Sequence, residues 1–396
     1  MNMQFADRIV KLEPAAVYEI LKHTASGKVI AFAAGNPSPD AFPAEEVAEL
    51  SAQILKENPI TTLQYGLSAG YEPLRQILYT DMVENGGLRI DGNELLITSG
   101  ATQGIELCAK IFCNEGDTII TENPTFIGSL NSFISYNTNI VGIDMEFDGM
   151  NMEKLEEALK CEKNVRFIYV IPNFQNPTGW TMSLEKRKRL YELAVKYNTL
   201  ILEDNPYGDL RYFGEHIPSI KSFDAENIVL YAGSFSKIIS PGLRVGFMHV
   251  PTPYFNKLAV AKQASDVHTP LLSQMIVYEY MKKYGLASHI SKVCDIYRNK
   301  LQLTLDGLEK HLGGKVTYVK PEGGLYVFCR LPDHINMREY CKNALEAGVA
   351  VVWGNAFLVD PNEKSQYFRI NFSSPTDEQL VRGLEILGQV FDKMAQ

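Results

Sequence analysis

Basic blocks, paired cysteines and membrane-length apolar runs are all missing from this sequence. Its 38 Lys and Arg are outnumbered by 47 Asp and Glu, for a formal charge of −9. Nucleic acid and anionic membrane surfaces attract clustered positive charge, so neither is expected as a partner. No stretch approaches the roughly 20 apolar residues that span a bilayer, and the opening Met1–Arg8 has no apolar core of signal-peptide length. Cys108, Cys113, Cys161, Cys294, Cys329 and Cys341 form no C-x-x-C pair and mostly lie in apolar contexts. That pattern suits buried free thiols in a reducing, cytoplasmic compartment. The seven histidines show no metal-ligand spacing, so no metal site is expected. Internal repeats and low-complexity linkers are lacking too.

What the chain does have is alternation. Its 396 residues, 45% hydrophobic and 21% charged, strike an ordinary globular balance with room for two domains. Apolar runs at 94–98, 117–121, 138–144, 165–171, 199–203, 227–232 and 244–250 read as strands, several without a polar face. Helical patterns separate them. At 184–197, Leu190, Leu193, Ala194 and Tyr197 follow helical spacing behind Ser183 as a cap. Such alternation predicts a mostly parallel, seven-stranded sheet covered by helices. Upstream, 13–25 reads as a short amphipathic helix and Val29–Gly35 as a strand, with helices starting near Pro43 and running through Arg75 and Leu78. After about residue 285 the texture changes. A long helix to about 312 is followed by strands at 316–319, 324–329 and 367–372, a helix near 337–347, and a last helix opened by Ser374, Pro375 and Asp377. The expected fold class is α/β: a large domain (46–285) holds the sheet, and the N-terminal segment (1–45) joins a smaller α+β domain (286–396).

The densest chemistry follows the apolar run Asn227–Gly233. There the chain leaves a core strand and at once presents Ser234, Ser236 and Lys237, then Arg244. Burial and neighbouring cations can strip the proton from such an amine and make it a nucleophile towards carbonyls. Hydroxyls and a guanidinium suit a phosphate. An amine beside a phosphate cradle is what pyridoxal 5′-phosphate (PLP) needs; the plainer alternative is a polar loop with a surface lysine. Three further sites fall at strand C-terminal ends, where open α/β sheets place ligands. The loop Thr98-Ser99-Gly100-Ala101-Thr102-Gln103-Gly104 either opens a helix whose N–H groups hold a phosphate or is a turn capped by Ser99. Asn176-Pro177-Thr178-Gly179 is a β-turn, or it brings the Asn176 amide to the ring's phenolate oxygen. Asp204 closes the run Thr199–Leu202. It either caps a helix or pairs with a pyridinium N–H, with Tyr207 in reach of the same phenolate.

Taken together these motifs resemble the class I/II aminotransferases, PLP enzymes of fold-type I. The likeness runs from about Ile30 to Ser373. It rests on Tyr65-Gly66, Ser99-Gly100-Ala101-Thr102-Gln103, Asn123-Pro124-Thr125-Phe126, Asn176-Pro177-Thr178-Gly179, Asp204 with Tyr207, Ser234-x-Ser236-Lys237, Arg244-x-Gly246 and Arg369-Ile370-Asn371-Phe372. The branch holding 2-aminoadipate, kynurenine and aromatic aminotransferases is the most similar. The resemblance implies that Lys237 is the covalent anchor and proton shuttle, that Asp204 binds the pyridine nitrogen, and that Asn176 and Tyr207 bind the phenolate oxygen. Gly100, Ala101, Thr102, Ser234, Ser236 and Arg244 would hold the phosphate. Phe126 would stack on the ring, without the hydroxyl of the tyrosine common there. Tyr65 would reach the phosphate of a neighbouring subunit, which implies a homodimer with shared sites. Arg369 would clamp the substrate α-carboxylate, and Gly35 would let substrate approach the backbone. Read without the resemblance, Arg369 is an edge-strand arginine in a surface ion pair.

The implied reaction moves an amino group from an α-amino acid to a 2-oxo acid, 2-oxoglutarate above all, by a ping-pong scheme. A PLP β-lyase and a PLP-binding sensor are the alternatives. Regulators of this branch carry a DNA-binding domain ahead of the PLP domain, and too few residues precede Gly35 for one. The stretch Pro14-Ala15-Ala16-Val17-Tyr18 lacks the arginine that some members with acidic substrates carry there. That leaves a broad or aromatic preference open beside an aminoadipate-like one.

Overall fold

The computed structural model describes residues 4–10, 12, 29–84, 86–88 and 90–396. The expected helix at 13–25 lies outside the described residues. The strands between residues 93 and 251 are β1 (Asn93–Thr98), β2 (Thr118–Asn123), β3 (Asn139–Glu146), β4 (Gly149–Met150), β5 (Val165–Val170), β6 (Leu200–Asn205), β7 (Val229–Ser234) and β8 (Gly246–Pro251). Seven answer to the apolar runs; the two-residue β4 has too little pattern to be read. Across the sheet the order is β1-β8-β7-β6-β5-β2-β3-β4. The pairings from β7 through β6, β5 and β2 to β3 are parallel. β8 runs antiparallel between β7 and β1, and β4 folds back on β3.

Successive strand residues feed opposite faces. Ile119, Phe167, Tyr169, Leu202 and Leu230 belong to one buried cluster, and Ile120, Ile168, Val170, Ile201 and Val229 to another. Burial on both faces is why these runs lack polar alternation. The parallel strands end along one edge, and there Gly246 of β8 pairs with both Thr98 and Ser234.

Elsewhere the helix Leu286–Leu312 packs along the final helix Asp377–Met394. An antiparallel sheet runs in the order 317–318, 326–330, 367–371, 352–353. Ile30–Ala31 pairs parallel with Val349–Ala350, which ties the first described strand to the C-terminal part of the chain. Two details correct the expectations. Thr376, not Ser374, caps the last helix, because Thr376 and Gln379 satisfy each other's backbone N–H in a capping box. Arg244 stands outside β8, in a left-handed turn (φ +54°) after the short helical turn Pro241–Leu243 that Ser240 caps. All six cysteines are free; four are buried, Cys113 is half-buried and Cys161 exposed. Among the described residues no helix is long and apolar enough to cross a membrane.

One buried cation locks the start of β7. Lys221 Nζ donates to Asp224 Oδ2 (2.8 Å), Asn93 Oδ1 (2.7 Å) and Val229 O (2.8 Å). Lys221→Met strands Asp224 as a buried charge without its cation. We expect a loss of about 3 kcal/mol, read as a lower urea midpoint; an unchanged midpoint would show that the pair contributes nothing.

Candidate active site

Twelve of the fourteen expected site residues line one cavity of about 400 Å³ at the C-terminal edge of the large sheet. Lys237 stands three residues past the end of β7, and its Nζ donates to Gly35 O at 2.8 Å. Burial pushes its pKa down to about 8, and the charges of Arg244 and Arg369 push the same way. Near pH 8, half of this amine is therefore unprotonated and nucleophilic. Gly35 has room for nothing larger than its hydrogen, since a Cβ there would lie 2.7 Å from Tyr326 Oη.

The side expected to bind an anion is built from three turns. Ser234 and Ser236 are both buried, and Ser234 Oγ accepts from the Ser236 N–H at 3.1 Å. Ala101 and Thr102 begin the helix Ala101–Phe112, whose first N–H groups have no intrahelical acceptor. Gly100 precedes them at φ +80° and does not itself line the cavity; its missing side chain makes space, because a Cβ would sit 2.3 Å from Arg244 Nη2. Arg244 donates to Ser99 O (3.1 Å) and Pro241 O (3.3 Å). Ser99 is not the helix cap. Its hydroxyl donates to Asp266 Oδ2 at 2.7 Å, in a network that also holds Lys262 and Gln103.

At the other end lies a buried carboxylate. Asp204 sits inside β6, 3% exposed, and caps no helix. Its Oδ2 accepts from Tyr169 Oη at 2.7 Å, while Oδ1 is buried without a partner among the described residues. Burial lifts the carboxyl pKa to about 7, against the pull of the Tyr169 hydrogen bond. Asn176 Nδ2 makes a long contact to Tyr207 Oη (3.5 Å), which lies 3.4 Å from Tyr326 Oη. Asn176 Oδ1 accepts from Arg369 Nη1 at 2.8 Å, and Arg369 Nη2 donates to Ala33 O at 2.8 Å. The guanidinium lies 4.4 Å from the centre of the Tyr326 ring and 4.8 Å from that of Phe357. Arg369 is 3% exposed on a central strand, so the surface ion pair is ruled out. Phe126 lines the wall just before the helix Ile127–Ile134. Tyr65 stands apart from the cavity, 79% exposed and edge-on to His268.

Tyr169, Tyr326 and Ala33 escaped the sequence reading. The first two sit in apolar strand runs where a tyrosine looks like one more core residue. Ala33 acts through its carbonyl, which no side-chain pattern reports.

Residues 27–387 match the family model for Aminotransferase class I and II. The aromatic-amino-acid aminotransferase 1 of Thermococcus litoralis is 37% identical, over 97% of this chain and 93% of its own length. The solved multiple substrate aminotransferase of Thermococcus profundus superposes with a TM-score of 0.94 at 34% identity, over 99% of this chain and 98% of its own. The α-aminoadipate aminotransferase of Thermus thermophilus, solved with N-(5′-phosphopyridoxyl)-L-leucine, does so at 0.90 and 33%, over the same shares.

PLP suits the cavity on grounds independent of kinship: the bare, buried Oδ1 of Asp204 is an acceptor that a pyridinium N–H satisfies. The Gly100–Arg244 contact yields a prediction. Gly100→Ala displaces the guanidinium and is expected to weaken PLP binding at least tenfold, the scale of one charge-assisted hydrogen bond, in a fluorescence titration. Unchanged affinity would remove Arg244 from the anion site. The chain belongs to the class I and II aminotransferases, PLP-dependent transferases of fold-type I.

Proposed function

We propose that this enzyme takes the amino group from an α-amino acid, aromatic or aminoadipate-like within a broad range, and passes it to a 2-oxo acid, chiefly 2-oxoglutarate. One observation carries the reading. The Lys237 amine, its pKa lowered first by burial and then by the charges of Arg244 and Arg369, lines one cavity with both guanidinium groups. One cation suits a cofactor phosphate and the other a substrate carboxylate, with the reactive amine in the same cavity. The broad range is supported by the substrates in the names of the relatives above.

Bound PLP supplies an aldehyde for the amino group and a ring that draws electrons from the substrate Cα. Ser234, Ser236, Arg244 and the N–H groups of Gly100, Ala101 and Thr102 would hold its phosphate, and Phe126 would cover its ring. Asp204 would accept from the ring nitrogen, and Asn176 and Tyr207 would face the phenolate oxygen. Lys237 Nζ would anchor the cofactor, then take the proton from the substrate Cα and return it. Arg369 would fix the α-carboxylate, held in turn by Asn176 Oδ1 and Ala33 O. Gly35 would leave the substrate room beside Lys237. An amino group carried on the enzyme between two half-reactions implies ping-pong kinetics.

The proposal includes a homodimer in which Tyr65 completes the partner's site; its exposure supports this reading. It also includes a cytoplasmic setting, supported by the free thiols, and the division into 1–45, 46–285 and 286–396. The test is a donor panel against fixed 2-oxoglutarate. Wild type is expected to give parallel double-reciprocal lines, and Arg369→Ala to lose about 100-fold in kcat/KM for every donor, the worth of a charge-assisted carboxylate grip. Turnover of no donor rejects the function; a loss confined to one donor rejects the role of Arg369.

A further inference from the structure

Behind Asp204 stands a hydrogen-bonded relay. Ser129 Oγ donates to Tyr169 Oη at 2.8 Å, and Tyr169 Oη donates to Asp204 Oδ2 at 2.7 Å. Ser129, Tyr169 and Asp204 are all buried. The tyrosine ring needs no hydroxyl to keep its place, because Phe133 packs edge-on against it at 5.4 Å. The hydroxyl does two things for the carboxylate. It occupies one oxygen and so decides which oxygen is left for a ligand. It also gives the anion a charge-assisted hydrogen bond in a place where burial disfavours charge. Glu122, buried near the end of β2, has its own pKa raised to about 8 by burial, with a smaller push from the Asp204 charge; Lys237 and Tyr207 share the cavity with Asp204.

We propose that Tyr169 is a positioning residue: by donating to Oδ2 it holds Asp204 as a carboxylate with Oδ1 turned to the cofactor's ring nitrogen. The inference rests on the assignment of Asp204 given above. It concerns a side chain that need not touch the cofactor.

The test compares PLP with its analogue carrying C–H in place of the ring nitrogen. The analogue keeps the aldehyde, phenolate oxygen and phosphate but has no N–H. Both are titrated by fluorescence at pH 7.5 into cofactor-free wild type and Tyr169→Phe. Wild type is expected to prefer PLP. Tyr169→Phe is expected to cut that preference about tenfold, the scale of one hydrogen bond to a charged group, with analogue affinity unchanged. Ser129→Ala is expected to cut it about threefold, the scale of a neutral hydrogen bond, and carries the test alone should Tyr169→Phe fail to fold. A variant that keeps the wild-type preference, or weakens both ligands equally, overturns the positioning role and leaves Asp204 where it was. A wild type without preference overturns the Asp204 assignment and this inference with it.

Discussion

The structure turns on one desolvated amine, Lys237, in a cavity that two guanidinium groups also line. Burial in the cavity disfavours the charged form of Lys237, and Arg244 and Arg369 disfavour it further. The hydrogen bonds that orient the two arginines go to neutral acceptors. Arg244 donates to the carbonyls of Ser99 and Pro241, and Arg369 to the Ala33 carbonyl and the Asn176 amide oxygen. Neutral acceptors fix direction without cancelling charge. Neither cation spends its charge on an acid in these bonds, so each stays available to an anion, buried Arg369 with less screening by water than exposed Arg244. Asp204 is the complement: a carboxyl lifted by burial to about 7, with one oxygen tethered and the other bare.

The fold makes this possible by converging distant segments on one edge. Parallel strands send Asp204 and Ser234 to the same side of the sheet. The antiparallel β8 slots between β7 and β1, so the turn before it delivers Arg244 beside the helix that starts at Ala101. Close approach there depends on glycine, since a Cβ on Gly246 would lie 2.6 Å from Ala101 N. The turn and loop after the first described strand supply the Ala33 carbonyl and Gly35, and the antiparallel sheet supplies Arg369 and, on the neighbouring strand, Tyr326. No one of these segments makes a site alone.

Much of this was legible in the sequence, for physical reasons. Long, fully buried strands announce themselves as unbroken apolar runs, and residues such as Lys237 and Asp204 stand out at their ends because an ionisable group there needs a reason. Two-residue strands such as Gly149–Met150 and Val352–Trp353 carry no such pattern. Cap positions slip by a residue or two where several candidates adjoin, as with Ser374 and Thr376. The supporting shell was the harder part. Tyr169 and Tyr326 act through hydroxyls on otherwise apolar residues, and Gly100 acts by what it omits. Arg369 could be told from a surface arginine only once its strand was seen between two others.

The most direct test of the central claim is chemical. Wild-type protein supplied with PLP is reduced with borohydride, digested and read by mass spectrometry. The account predicts a phosphopyridoxyl group on Lys237 and on no other lysine. A label on another lysine, or none at all, would contradict it.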